Sequence, residues 1–313
     1  MIIALAGGVG GAKLADGMAQ ILGGDLTVIV NTADDFEHLG LSISPDLDTV
    51  VYTLAGIANP ETGWGIAGES WRFLEQLARL GGPTWFRLGD RDLATHILRT
   101  ERLKRGETLT AVTASLCERL GIAARILPMS DAPVRTIVET AEGPLPFQEY
   151  FVARHCAVAV KSFSFAGIEQ ARPSAAVVDA LGTAPLQAIV VCPSNPFVSI
   201  DPILALPGMG ELLRAGGVPV VAVSPIIAGA AVKGPAAKML RELGLAVSAT
   251  GVAAHYRGLL QGMVIDTADA GLAADIEAMG IAVKVTPTLM RNATDRRRLA
   301  ETCLAFAGTL AVK

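Results

Sequence analysis

Residues 2–35, IIALAGGVGGAKLADGMAQILGGDLTVIVNTADD, decide the fold. Ile2 to Ala6 is an unbroken apolar run of strand length, bounded by glycines, which is the pattern of a strand buried on both faces. It runs into Gly7-Gly8-Val9-Gly10-Gly11-Ala12-Lys13 and then into a helical pattern through Met18 and Ile21. Leu26 to Val30 is a second buried run. Strand, glycine turn, helix and strand make a right-handed βαβ unit, so Gly7–Lys13 and Asn31–Asp35 leave the sheet at the same carboxyl edge. The N–H groups of such a turn converge on an anion, and the helix N-terminus adds favourable partial charge.

Downstream of that unit, NTADDFEHLGLSISPDLDTVVYTLAG (31–56) crowds Asn31, Asp34, Asp35, Asp46 and Asp48 between apolar runs. Carboxylates beside a phosphate site repel the ligand unless a cation lies between them. Asp34, Asp35 and Asp48 are therefore expected to hold Mg²⁺, a hard ion that takes carboxylate, water and phosphate oxygens. GGVGGAK has neither the spacing of a P-loop nor the pattern G-x-G-x-x-G, and as a motif alone it also fits a plain tight turn. Leu47, Val50, Val51 and Leu54 predict a helix, for which Asp46 serves as the cap. Asp48, inside the first turn, is expected to face the phosphates, so that its loss costs activity and leaves stability nearly unchanged.

The strand–helix rhythm breaks after Gly56. A loop of turn formers, Asn59 to Gly65, surrounds Trp64; Trp71, Leu74, Leu77 and Leu80 recur at helical spacing. WFRLGDRDLATH (85–96) then packs Arg87, Asp90, Arg91, Asp92 and His96 together, and with Arg99 further along a helix the arginines read as a local anion clamp. Asp90 or Asp92 also fits a helix cap. Another helix is expected over 109–120, a strand over 134–138, a helical segment over 147–154 and a strand over 157–165. Residues 59–150 read as an inserted, mainly helical subdomain contributing to an acceptor site, and 1–58 with 151–313 as the nucleotide- and phosphate-binding core.

The rhythm resumes with Ala188–Val191 running into CPSNPFVSI (192–200), a rigid loop offering Ser194 and Asn195 at a strand's carboxyl end. Val218–Val223 leads to SPIIAGAAVKGP (224–235), where Lys233, with Lys238 beyond, lies beside a helix start at Pro235 and suits phosphate contact. Two further pairs, 262–265 and 281–285 with their helices, complete an α/β, Rossmann-like, doubly wound and mostly parallel sheet.

A chain of 313 residues with 51% hydrophobic residues can build a full core, and a net charge of -4 gives no global basic field, which argues against nucleic acid as a partner. No apolar run of about 18 residues appears, and the N-terminus lacks a basic region, so no membrane partner and a cytoplasmic protein are expected. Four scattered cysteines form no C-x-x-C and no metal-ligand spacing. An edge strand or an apolar helix face would support a homodimer.

GGVGGAK, the 31–56 stretch, GWG (63–65), WFRLGDRDLATHILRT, LPMSD, FQEYFV, PSNPFVSI and SPIIAGAAVKGPAAKM occur together in the order seen in one family. On these motifs the chain resembles the 2-phospho-L-lactate transferases of coenzyme F420 biosynthesis, over essentially its whole length. The resemblance implies Mg²⁺-dependent transfer of a phospho-acid unit, 2-phospholactate or phosphoenolpyruvate, from a guanosine diphosphate-linked donor to the ribityl hydroxyl of the deazaflavin Fo. GMP and a phosphodiester are the products. In a mechanism built from the parts above, Gly8, Gly10, Gly11, Lys13, Asn31 and Lys233 would bind substrate, and Ser194 and Asn195 would hold guanine or ribose. Asp90, Asp92 and His96 would bind substrate, and Asp35, Asp48, Arg87 and Arg91 would be catalytic. Two other readings stay open: a nucleotide-binding regulator without catalysis, and an NAD(P)-type oxidoreductase, although the latter expects an acidic residue where Asn31 stands.

Overall fold

Ile2–Ala6 forms the expected strand, β1, with all five residues buried. Its side chains alternate between two apolar clusters. Ile2, Ala4 and Ala6 pack with Leu14, Ala15 and Met18 of α1 (Gly8–Leu22), while Ile3 and Leu5 pack on the other face with Phe197, Val198 and Ile200. This two-sided burial is why the strand reads as a continuous apolar run. Each fully buried Ile, Leu or Val contributes about 1.5–3 kcal/mol, so the sheet is the rigid platform on which the polar loops are mounted.

The computed structural model describes residues 1–182 and 185–310. Among them, β1, β2 (Leu26–Val30), β3 (Arg125–Pro128), β4 (Ala188–Val191), β5 (Val220–Val223), β6 (Gly262–Ile265) and β7 (Ala282–Val285) form one parallel sheet in the order β7-β6-β5-β4-β1-β2-β3. The chain builds outward from β1 through β2 to β3, then crosses to the opposite side of β1 at β4. The strand order therefore reverses between β1 and β4, and ligands of such sheets bind in the crevice outside the carboxyl ends at that point. Helix Ala293–Leu310 packs against α1 so closely that a methyl group at Gly17 would overlap the Arg296 carbonyl.

The stretch 59–150 departs from the expectation in two ways. Arg125–Pro128 pairs in parallel with β2, so this stretch supplies an edge strand of the main sheet. Strands Arg135–Thr140, Gly143–Pro146 and Val160–Ala166 form a separate antiparallel sheet that runs across the expected boundary at residue 150. Alternating burial along Arg135–Thr140 is the mark of a sheet with one solvated face. Helix α2 (Pro45–Leu54) precedes the stretch in the core, and within the stretch lie the helices α3 (Arg72–Arg79), α4 (Asp90–Lys104) and α5 (Leu109–Arg119). A short hairpin, Phe36–His38 with Leu41–Ile43, turns at Leu39 and Gly40, both at positive φ, and brings the chain back from the sheet edge to α2.

Candidate active site

Asn31, fully buried at the end of β2, is the hub of the crevice. Its Nδ2 donates to Asp46 Oδ2 at 2.9 Å and to the Val198 carbonyl at 3.1 Å, while its Oδ1 accepts from Ala33 N at 2.9 Å. One amide thus ties the β2 exit, α2 and the loop after β4 together. Ser194 Oγ accepts from Gly7 N at 3.0 Å and donates to Gly7 O at 2.8 Å. Methyl groups at Gly10 and Gly11 would overlap the Pro193 carbonyl and Ser194 Oγ. These glycines are required by the loop that closes against α1, and the fit leaves the turn rigid.

Asp46 does not cap its own helix. Pro45 occupies the first turn and Ser44 is the N-cap residue, so α2 begins one residue earlier than the apolar pattern indicates. The Asp46 carboxylate points at α1, where Oδ1 accepts from Gly8 N at 2.7 Å. It thereby takes one of the free amides of the glycine turn. Burial pushes its pKa up to about 6, against the opposing hydrogen bonds from Asn31, Gly8 and Ser199.

Asp34 and Asp35 are 5% and 8% exposed. Asp34 Oδ1 accepts from Thr136 Oγ1 at 3.2 Å, and Gln148 Nε2 holds the Asp34 carbonyl at 3.2 Å. Burial first, and the nearby Asp46 charge second, raise the Asp34 pKa well above the carboxylate range. Asp35 Oδ2 accepts from Ser44 Oγ at 2.7 Å, whereas its Oδ1 is buried without a hydrogen-bond partner. Burial raises Asp35 to about 7, although Ser44, Arg135 and Arg99 all favour its ionised form. Two desolvated carboxylates with an unused oxygen form a donor set that fits a hard cation.

Asp48, expected to join them, is held elsewhere. Arg99, 2% exposed on α4, forks over it: Nη2 donates to Oδ1, and Nη1 to Oδ2 at 3.1 Å. Asp34, Asp35 and Asp48 do not converge within metal-ligand spacing. Among the described residues Asp48 clusters instead with Asp92 and His96. His96 Nε2 lies 3.3 Å from Asp92 Oδ2, and Tyr52 donates to Asp92 Oδ1 at 2.6 Å. His96 Nδ1 lies 3.3 Å from Arg99 Nη1, so the imidazole is wedged between the guanidinium and Asp92. The network is a polar seam between α2 and α4. Its signal in the sequence is the 92, 96, 99 stripe on one helix face.

The other members of LGDRDLATH also have local partners. Asp90 accepts from Phe73 N at 3.0 Å and Ser70 Oγ at 2.5 Å, closing the start of α3. Arg87 lies 4.1 Å over the Trp71 ring, and Arg91 Nη1 donates to Ala67 O at 2.9 Å. The arginine clamp is therefore not assembled in this arrangement. Asn195 caps the turn 196–200 through Phe197 N at 3.1 Å, and Ser194 is engaged with Gly7, so neither presents its full polar capacity to a nucleoside.

Lys13 and Lys233 are different. Lys13 Nζ donates to Met290 O at 3.0 Å and Lys233 Nζ to Thr62 O, and neither pairs with a carboxylate among the described residues. Burial, then the charges of Arg296 and Lys233, lower the Lys13 pKa. Two uncompensated cations that repel one another beside a glycine turn create a local positive potential. Lys238, by contrast, pairs with Glu242 at 2.7 Å.

The fold is shared with a UPF0052-family protein of Bacillus halodurans, whose crystal structure superposes with a TM-score of 0.62 at 15% identity, over 97% of this chain and 98% of that one. Sequence relatives are closer. A phosphoenolpyruvate transferase of Streptomyces griseus is 46% identical over 98% of both chains. A 2-phospho-L-lactate transferase of Methanosarcina acetivorans is 41% identical over 99% of this chain and 100% of its own. No helix among the described residues is long and apolar enough to cross a membrane. The glycine turn, the buried acids and both lysines all lie within residues 2–294, which match the family described as 2-phospho-L-lactate transferase CofD, and the chain belongs to that family.

Proposed function

We propose that the protein transfers a phospho-acid unit, phosphoenolpyruvate or 2-phospholactate, from a guanosine diphosphate-linked donor to the terminal hydroxyl of the deazaflavin Fo, in coenzyme F420 biosynthesis. The observation that carries the reading is the unpaired Lys13 and Lys233 at the glycine turn, in a family member whose relatives bear these transferase names. The attacking hydroxyl oxygen forms a bond to the phosphorus bearing the acid and gives up its proton to water, the bridging P–O bond breaks, and GMP leaves with the electron pair. Lys13 and Lys233 take up charge on the diphosphate as the bridge breaks. The α1 amides not used by Asp46 orient the same group. Asn31 and Ser194 hold the cradle in register, so that alignment contributes along with charge neutralisation.

Asp34 and Asp35 are the residues that would hold Mg²⁺, supported by the unpartnered Asp35 Oδ1 and the desolvation of both carboxylates. When bound, the ion would supply charge neutralisation between these acids and the phosphate oxygens. Asp48 is assigned to the seam with Arg99 and not to the metal. Arg87 and Arg91 are assigned to holding the 67–71 segment. The test is mass spectrometry of the product that purified protein forms from Fo with each donor, enolpyruvyl or lactyl, with and without Mg²⁺. Absence of any Fo phosphodiester from either donor would refute the reading. The two products differ by one double bond, which names the acid.

A further inference from the structure

FQEYFV (147–152), one of the ordered motifs, takes no part in the steps above, yet its side chains reach the buried acids. Glu149–Ala153 is a π-turn, closed by Arg154 N donating to Glu149 O at 2.9 Å, and His155 and Cys156 follow at φ of 49° and 56°. Such turns, and non-glycine residues in the left-handed region, are disfavoured and gather at functional sites. One end of the segment is anchored. Tyr150, fully buried, accepts from Lys238 Nζ at 3.2 Å, and the same ammonium donates to Val158 O at 2.9 Å and pairs with Glu242.

The other end carries Gln148, 6% exposed, whose Nε2 donates to the Asp34 carbonyl at 3.2 Å. Its side chain makes no other hydrogen bond among the described residues. Thr136, on the strand Arg135–Thr140, grips the same turn twice: its N donates to Ala33 O at 2.7 Å and its Oγ1 to Asp34 Oδ1 at 3.2 Å. Ala33 and Asp34 are thus strapped from outside the parallel sheet. An acid that must ionise beside Asp35 and Asp46 to take up a cation would gain by turning away to water, and the strap removes that freedom.

Resting on the transferase reading and its metal assignment, we propose that Gln148 and Thr136 are positioning residues, which hold the Asp34 carboxylate in place for Mg²⁺ before the ion arrives. Both residue types suit the task. A glutamine amide donates to a carbonyl without adding charge to a cluster of carboxylates, and a threonine hydroxyl donates to one carboxylate oxygen without neutralising it. Hydrogen-bond partners that orient metal ligands in this way typically contribute about 10–100-fold to metal affinity.

Calorimetric titration of Mg²⁺ into the full chain at pH ~8 tests this on wild type, Gln148→Leu, Thr136→Val and Thr136→Ser, each first shown to be folded by circular dichroism. Gln148→Leu removes the amide donor, Thr136→Val removes the hydroxyl, and Thr136→Ser retains it. Wild type is expected to bind Mg²⁺, Gln148→Leu and Thr136→Val to bind it tenfold or more weakly, and Thr136→Ser to stay within threefold of wild type. Inorganic pyrophosphate without Mg²⁺, held by the lysines, should bind all four within twofold, a control that a general loosening of the fold would move. The assignment is overturned by no Mg²⁺ binding to wild type, by unchanged Mg²⁺ affinity in either Gln148→Leu or Thr136→Val, by Thr136→Ser failing as Thr136→Val does, or by pyrophosphate binding lost in parallel. Should Gln148→Leu not fold, the two Thr136 variants decide alone. Transfer to Fo by wild type, read separately by product mass, distinguishes failure of the strap from failure of the transferase reading.

Discussion

Asp48→Asn is expected to cost stability first. The substitution leaves the Arg99 guanidinium 2% exposed and without a carboxylate in contact, its acceptors now neutral oxygens, the new amide and Ser42 O, the latter 3.3 Å from Nη1. Removing one partner of a buried ion pair costs about 3–5 kcal/mol, because the other charge stays desolvated. At about 2 °C per kcal/mol for a chain of this length, the melting temperature should fall by about 6–10 °C. Arg99→Met should cost a similar amount by stranding the Asp48 carboxylate, while Asp48→Asn with Arg99→Met should lose far less than the sum, since replacing a buried pair entirely is near neutral. Urea and thermal unfolding followed by circular dichroism give all three values. An Asp48→Asn protein melting within about 1 °C of wild type, or strict additivity in the double variant, would refute the seam and return Asp48 to the phosphate side.

Asp35, raised by burial to about 7 from an unfolded value near 3.9, binds its proton more tightly when folded, so its contribution to stability is full below pH ~4 and is lost as pH rises through about 7. Asp35→Asn should flatten that slope and be the more stable protein at pH 8 without Mg²⁺, by up to about 4 kcal/mol; an unchanged pH–melting profile would contradict this. Mg²⁺ added at pH 8 should raise the wild-type melting temperature but not that of an Asp34→Asn/Asp35→Asn protein, checked by differential scanning fluorimetry. Lys233→Ala should weaken GDP and pyrophosphate alike by about 1.5–3 kcal/mol, and equal affinities by calorimetry would make the lysine a mere tie to Thr62. Gly10→Ala should destabilise by about 1–3 kcal/mol through overlap with the Pro193 carbonyl, and a wild-type melting temperature would refute that close contact.

The sequence by itself determined the parallel α/β core, because that information is local. It did not determine the edge strand β3 or the separate antiparallel sheet, whose pairings are made across the chain. Unbroken apolar runs such as Ile2–Ala6 and Leu26–Val30 can only be doubly buried strands, and their alternation with helical periods forces parallel pairing and a shared carboxyl edge. The same logic placed the glycine turn, Asn31 and the acids together, and the ordered motifs named the family. Only the tertiary structure decided what each acid does. Asp46 and Asp48 stand two positions apart on α2 and differ in direction, and nothing in PDLD says that Gly8 waits on one side and Arg99, 51 positions downstream, on the other. Burial, which moves the Asp35 pKa to about 7 against the hydrogen bond from Ser44 and the charge of Arg135, depends on elements packed from across the chain. Likewise a lysine that finds a glutamate and one that finds only a carbonyl look alike in sequence. Lys238 and Lys233 are told apart by what folds against them, since electrostatics acts through space while periodicity acts along the chain.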